Sequence, residues 1–147
     1  MTRLTVDGRP VSASVPPWSS LRTLLDEVGT PLPAGCDAGH CGSCTVLLER
    51  TPVPACVVPA HSADGGRVDT VATAADPQLT RQFAIEGAVQ CGYCTPGLLV
   101  TLSDLLRRHR GAELTADRVR AALTGNLCRC TGYDAIVRAT LAAHAAS

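Results

Sequence analysis

The spacing of its eight cysteines is the feature that most limits what this chain can fold into. The first four follow a C-x4-C-x2-C pattern with a distant fourth member, and the last four pair a C-x2-C with a later C-x-C. They are Cys36, Cys41, Cys44 and Cys56, followed by Cys91, Cys94, Cys128 and Cys130. Because no cysteine is left over, the chain offers two sets of four soft thiolate ligands, as a [2Fe–2S] cluster requires.

The composition indicates that bound metal should stabilise the fold. The 147 residues allow one medium domain or two small ones, and only 3% of them are aromatic although 46% are hydrophobic. Two cores of Ala, Leu and Val over about 70 residues each are marginal on their own. Metal clusters are therefore the expected additional constraint.

Charge and hydropathy exclude several classes of function. The net charge is zero, the chain has no lysine, and no basic stripe suggests a nucleic-acid partner. No apolar run approaches the length of a membrane span. Polar residues interrupt the start of the chain, which does not resemble a secretory signal. We therefore expect a cytoplasmic protein, where many cysteines indicate metal rather than disulfides.

The first half alternates in the manner of strands and contains one helical segment. Asp7-Gly8 predicts a tight hairpin turn, and Ser19 or Ser20 is a candidate cap for a helix from Leu21 to Val28. Residues 45–48 are predicted to form a strand, and Pro52 and Pro54 are expected to end it. Residues 56–58 and 67–71 are predicted to be extended. These elements predict a small α+β unit.

The first four cysteines have the spacing of plant-type ferredoxins. Gly35, Gly39 and Gly42 let the loop wrap closely and turn backbone N–H groups toward the sulfurs. A structural zinc site and two disulfides are the alternatives, but zinc sites are typically built from paired C-x2-C hooks. His40 lies between the ligands and is interpreted as a loop residue, because four thiolates complete the set.

The second half has helical periodicity. Asp76-Pro77, Thr95-Pro96 and Thr115 are predicted helix starts, Gly125 is a predicted stop, and Thr131 is a candidate cap for the last helix. About four helices result. We place the boundary near residue 75, which gives domains 1–75 and 76–147.

Both later cysteine pairs precede predicted helix starts, where free N–H groups and the helix dipole favour an anionic centre. A lone C-x2-C is weak evidence for a metal site. The C-x2-C and the C-x-C together indicate a second four-thiolate site. Tyr93 and Tyr133, beside these cysteines, are interpreted as packing residues.

Three stretches resemble the small iron–sulfur subunit of the molybdenum hydroxylases, the superfamily of xanthine oxidase and carbon monoxide dehydrogenase. They are residues 35–46, 90–97 and 125–133, and the resemblance covers nearly the whole chain. It implies an N-terminal plant-type ferredoxin (β-grasp) domain and a C-terminal four-helix domain, each with one [2Fe–2S] cluster. The segment Glu49–Pro54 departs from the family because it lacks the usual Asp-Gly turn.

The resemblance also implies the site residues. Cys91, Cys94, Cys128 and Cys130 would hold the cluster nearer molybdenum, and Cys36, Cys41, Cys44 and Cys56 the one nearer FAD. Gln90 and Cys130 match positions that lie against the pterin.

The implied function is electron transfer within a heterotrimeric oxidoreductase. A large subunit would carry the molybdenum–pterin, a medium subunit would carry FAD, and an (αβγ)2 assembly is expected. No residue of this chain is predicted to be catalytic. A free-standing two-cluster carrier and a zinc-stapled interaction module remain as alternatives.

Overall fold

The computed structural model describes residues 1–146, and strands and helices alternate in its first half. Five strands form one sheet. The first helix shares a core with this sheet, and the second helix follows its last strand. The strands are β1 (Thr2–Val6), β2 (Arg9–Ala13), β3 (Thr45–Leu48), β4 (Thr51–Pro54) and β5 (Arg67–Asp69). The helices are α1 (Leu21–Glu27), α2 (Val71–Ala74), α3 (Pro77–Ile85), α4 (Thr95–Arg108), α5 (Ala116–Ala122) and α6 (Asp134–Ala145).

The sheet has the strand order β2-β1-β5-β3-β4. β1 and β5 are parallel neighbours, and the other pairs are antiparallel. Helix α1 begins at Ser20, whose hydroxyl accepts from the Thr23 N–H, as the capping pattern predicted. Its apolar side buries Leu21, Leu24 and Leu25 in the same core as Val6 of β1.

Two turns close the hairpins of this sheet. Asp7-Gly8 forms the predicted turn between β1 and β2, with positive φ at both residues. Glu49 and Arg50 make a turn of the same kind between β3 and β4, with φ of 48° and 66°. The missing Asp-Gly therefore does not abolish the hairpin, although both residues adopt a backbone region that side chains disfavour.

Pro52 and Pro54 do not end the strand region as expected. Both lie within β4, where they pair with Leu47 and Thr45 of β3. β4 is the edge of the sheet, so a proline without an N–H is tolerated on its outer side.

One other extended prediction was wrong, and the strand predicted at 67–71 is present but shorter. Cys56 lies in a short 3₁₀ helix, Ala55–Val57. β5 ends at Asp69, because the hydroxyl of Thr70 caps α2 by accepting from the Ala72 N–H.

The second half packs the four helices α3 to α6 around a separate core. Asp76 caps α3 and Thr115 caps α5, as predicted. The other boundaries differ by a few residues: Cys94, not Thr95, precedes α4, and α5 ends at Ala122 before Gly125. Thr131 does not cap α6, which Tyr133 precedes in a left-handed conformation with φ of 70°.

Helix α4 joins the two halves. Its inner side lies in the helical core through Leu98 and Leu102, and the helix also contacts β3 and β4. The fold is therefore the expected α+β arrangement of a sheet unit followed by a helical unit. Across residues 1–146, no helix is both long and apolar enough to cross a membrane.

Candidate metal centres

The first four cysteines meet at one end of the sheet. Three lie on the loop between α1 and β3, and Cys56 returns to them in the 3₁₀ helix that follows β4. Cys41 acts on the pKa of Cys36, and Cys44 acts on the pKa of Cys56. Cys44 is buried in the core of the sheet unit, whereas the other three are partly exposed.

Backbone amides converge on the sulfurs of this loop. The Sγ of Cys36 accepts from the N–H groups of Ala38, His40 and Cys41 at 3.4, 3.2 and 3.3 Å. These amides lower the pKa of the Cys36 thiol to about 6. His40 thus faces the sulfur with its backbone. Gly39 donates in the same way to Cys56 at 3.3 Å.

Burial acts in the opposite direction on Cys56. It raises the pKa of the Cys56 thiol to about 11, and the neighbouring Cys44 raises it further. The loop therefore favours negative charge on Cys36 more than on Cys56.

The last four cysteines lie where two helices begin. Cys91 and Cys94 precede α4, and Cys128 and Cys130 precede α6. The Sγ atoms of Cys91 and Cys130 are 3.7 Å apart, and Cys128 acts on the pKa of Cys94. Cys94 and Cys128 pack against the helical core, while Cys91 and Cys130 are exposed.

Cys94 and Cys128, the two cysteines that pack against the helical core, have different surroundings. Burial and the neighbouring Cys128 raise the pKa of Cys94 to about 12. Burial also acts to raise the pKa of Cys128, but hydrogen bonds from Thr131 and from the Cys130 amide outweigh it, so that the pKa is lowered. The Thr131 hydroxyl lies 3.1 Å from the Cys128 sulfur.

Gln90 lies beside the exposed pair. Its Nε2 donates to the carbonyl oxygen of Cys130 at 3.1 Å, which fixes the side chain next to the last cysteine. Gln90, Cys91 and Cys130 are all exposed, so the structure brings together at one surface the two residues that the sequence placed against a pterin.

The two cysteine groups are joined by hydrogen bonds. The Leu127 N–H donates to the Cys41 carbonyl at 2.9 Å, and the Asn126 Nδ2 donates to the Gly42 carbonyl at 3.3 Å. Gly42 has a φ of 69°, and a Cβ there would lie 2.2 Å from the Gly125 carbonyl oxygen. A Cβ on Gly97 would lie 2.0 Å from the Gly42 carbonyl oxygen, so only glycine fits this approach.

Tyr93 and Tyr133 form hydrogen bonds to backbone groups near the cysteines, which the sequence did not indicate. The Tyr93 hydroxyl accepts from the Ala34 N–H, which links the second cysteine group to the start of the first loop. The Tyr133 hydroxyl accepts from the Cys128 N–H at 2.8 Å and donates to the Asn126 carbonyl at 2.9 Å. Both tyrosines are hydrogen-bonding residues, and no spacing in the sequence could have revealed their partners.

The arrangement of the sulfurs fits a binuclear cluster. Each group brings together four cysteines from separate parts of the chain, and a [2Fe–2S] cluster takes two thiolates on each of its two irons.

Comparison with known families matches both halves of the chain. Residues 4–76 match a 2Fe-2S iron-sulfur cluster binding domain, and residues 68–141 match a [2Fe-2S] binding domain. The iron-sulfur-binding subunit of xanthine dehydrogenase from Escherichia coli O157:H7 is 39% identical over 142 residues, which cover 93% of this chain and 89% of that protein. The chain belongs to the small iron–sulfur subunits of the molybdenum hydroxylases.

Other proteins are also similar to this chain. The small FeS subunit of nicotinate dehydrogenase from Eubacterium barkeri is 40% identical, over 88% of this chain and 85% of that protein. A chain of quinoline 2-oxidoreductase from Pseudomonas putida 86 superposes with a TM-score of 0.89 at 35% identity, covering 99% of this chain and 93% of that one. The chain is thus an electron-transfer subunit of an oxidoreductase and carries two [2Fe–2S] clusters.

Proposed function

We propose that each of the two cysteine groups holds one [2Fe–2S] cluster. The first is assigned to Cys36, Cys41, Cys44 and Cys56, and the second to Cys91, Cys94, Cys128 and Cys130. The observation that carries this assignment is that distant cysteines meet within each set: the Gly39 N–H, in the loop that holds Cys36, Cys41 and Cys44, donates to Cys56, and the Sγ atoms of Cys91 and Cys130 lie 3.7 Å apart. When bound, each cluster accepts and releases one electron at a time.

Electrons enter at the second site and leave from the first. The exposed surface formed by Gln90, Cys91 and Cys130 supports this order, because it offers the second site to a cofactor held by another subunit. We assign that cofactor to a molybdenum–pterin, with Gln90 and Cys130 as its contacts. The first site then delivers electrons to FAD on a second partner.

A short path through the protein supports transfer between the two sites. Leu127 precedes Cys128, and its N–H donates to the carbonyl of Cys41. One hydrogen bond therefore connects a ligand residue of one site with the backbone next to a ligand of the other. Asn126 holds the same two loops together by its bond to Gly42.

The partners follow from the family. A large subunit with the molybdenum–pterin and a medium subunit with FAD complete the oxidoreductase, and two such heterotrimers form an (αβγ)2 assembly. Within this chain, residues 1–75 form the ferredoxin domain and 76–147 the helical domain, with the boundary just before the Asp76 cap. The substrate of the complex is set by the large subunit.

Iron and acid-labile sulfide analysis, with EPR after dithionite reduction, tests the ligand assignment. We expect about four irons and four sulfides per chain and two distinguishable [2Fe–2S] signals. About two irons with one signal would show that only one group holds a cluster. Zinc in place of iron would overturn both assignments.

Affinity purification of the tagged chain from its native host tests the partners. We expect two larger subunits to co-purify, one with bound molybdenum and the other with bound FAD. A fully active, stable monomer would instead support a free-standing carrier.

A further inference from the structure

The hydroxyl of Thr131 lies 3.1 Å from the sulfur of Cys128, on the loop that leads into α6. The same oxygen accepts from the Tyr133 N–H at 3.3 Å. We propose that Thr131 is a positioning residue that raises the reduction potential of the second cluster by donating a hydrogen bond to Cys128. This rests on the proposed assignment of Cys128 as a ligand.

The direction of this bond follows from the chemistry of its two atoms. A sulfur that binds iron is deprotonated, so it can only accept, and the hydroxyl must be the donor. The Tyr133 N–H occupies a lone pair of the Thr131 oxygen and leaves its single proton available to the sulfur. Both residues are partly buried, which limits the competition of water for the bond.

Thr131 has no counterpart at the other sulfurs. In residues 1–146, the other hydrogen bonds to cysteine sulfur come from backbone N–H groups or from a second cysteine. Backbone donors remain when a side chain is replaced. Within the described structure, Thr131 is therefore the one non-cysteine side chain that donates a hydrogen bond to a proposed ligand. A substitution at this position can remove that donor.

The effect on the potential follows from charge. One added electron makes the cluster and its sulfur ligands more negative, and a hydrogen bond strengthens as the charge on its acceptor grows. The bond from Thr131 therefore stabilises the reduced state more than the oxidised state. The hydroxyl keeps its proton throughout, so the electron is accepted without proton transfer from Thr131.

The test is a potentiometric titration of both EPR signals in the full chain, purified with its partner subunits. The variants are Thr131→Val, which keeps the branched shape without the hydroxyl, and Thr131→Ser, which keeps the hydroxyl. Thr80→Val is the matched control, because the exposed Thr80 hydroxyl bonds the Asp76 carbonyl in α3 and no sulfur. Iron is counted in every sample.

We expect Thr131→Val to lower the midpoint of one signal only, while Thr131→Ser and Thr80→Val leave both unchanged. At a fixed potential, the ratio of reduced to oxidised second cluster should fall roughly threefold to tenfold, as expected for a bond that strengthens with charge. An unchanged midpoint, or equal shifts of both signals, would overturn the role of Thr131.

Loss of the cluster is a separate outcome. If Thr131→Val loses the second signal, Thr131→Ala is titrated beside Thr131→Ser. If the Ala variant also loses it and the Ser variant keeps it, the hydroxyl is needed for cluster retention, and the tuning role is wrong. A wild-type chain with about two irons and one signal would contradict the ligand assignment itself.

Discussion

At the scale of single residues, the two cysteine groups should be separable by substitution. Cys41→Ser removes a proposed ligand of the first site and Cys94→Ser one of the second, and the two thiols lie in different loops. We expect each variant to lose one EPR signal and about two of its four irons, because a [2Fe–2S] cluster needs all four ligands.

Each of these variants is the control for the other. Cys41→Ser should still accept electrons from the molybdenum site but fail to pass them to FAD, as rapid-reaction spectroscopy of the complex would show. Reduction of FAD at the normal rate in that variant would contradict the order of the two sites.

Asn126 is the side chain that most directly holds the two loops together. It is buried, and its Nδ2 donates to the Gly42 carbonyl. Asn126→Ala should lower the free energy of unfolding by about 0.5–1.5 kcal/mol, because one buried hydrogen bond is lost while the Gly42 carbonyl keeps its two bonds from Thr45. Urea unfolding measures this loss.

The control is Thr124→Ala, two residues away. Its exposed hydroxyl bonds only the Ala121 carbonyl, so a change below about 0.5 kcal/mol is expected. Equal losses in both variants would show that the Asn126 contact contributes nothing specific.

The sequence predicts a grouping for the cysteines but gives little information about the residues that lie between the groups. Spacing identifies ligands because a cluster needs a fixed number of thiolates. Asn126 and Tyr93 act on partners far away in the chain, Gly42 and Ala34, and such pairs leave no local pattern. The position of Gln90 followed from the family motif, and its bond to Cys130 is visible only in the structure.

At the scale of elements, the β3–β4 turn has two successive residues with side chains, Glu49 and Arg50, in the left-handed backbone region. Arg50 has a φ of 66°, which costs a residue with a side chain more than it costs glycine. Arg50→Gly should therefore raise the free energy of unfolding by about 0.5–1 kcal/mol. Thermal unfolding of the reconstituted chain measures the gain.

Thr51→Gly is the matched control in the same hairpin. Thr51 lies in β4 and pairs with Leu48, so glycine there should destabilise the strand. A loss of stability in the Arg50 variant as well would show that the turn is not strained in solution.

Element types were predicted better than element ends. The caps at Ser20, Asp76 and Thr115 act locally through the next few N–H groups, so the sequence located them correctly. Pro54 was misread because its tolerance depends on β4 being an edge strand, and sheet order is a property of the whole fold.

At the scale of the whole molecule, one contact between glycines sets how closely the two halves approach. A Cβ at residue 97 would lie 2.0 Å from the Gly42 carbonyl oxygen. Gly97→Ala should force the cluster loops apart, cost about 1–3 kcal/mol and weaken the magnetic coupling between the reduced clusters. Thermal unfolding and EPR of the fully reduced chain measure the two effects.

Gly125→Ala is the control, because a Cβ there meets nothing within 4 Å. Stability and coupling should both stay at the wild-type level. Unchanged coupling in Gly97→Ala would mean that other contacts alone fix the distance between the clusters. The sequence indicated two units correctly, but the fit between them depends on backbone positions that no residue pattern encodes.

The unequal exposure of the sulfurs has a consequence for handling the protein. Cys91 and Cys130 are both open to solvent, whereas the first group includes the buried Cys44. Dioxygen should therefore reach the second centre of a free chain sooner, and the visible colour should bleach in air in two stages. The same centre should resist bleaching in the assembled complex, so the ratio of the two bleaching rates would measure how completely a partner seals that end of the molecule.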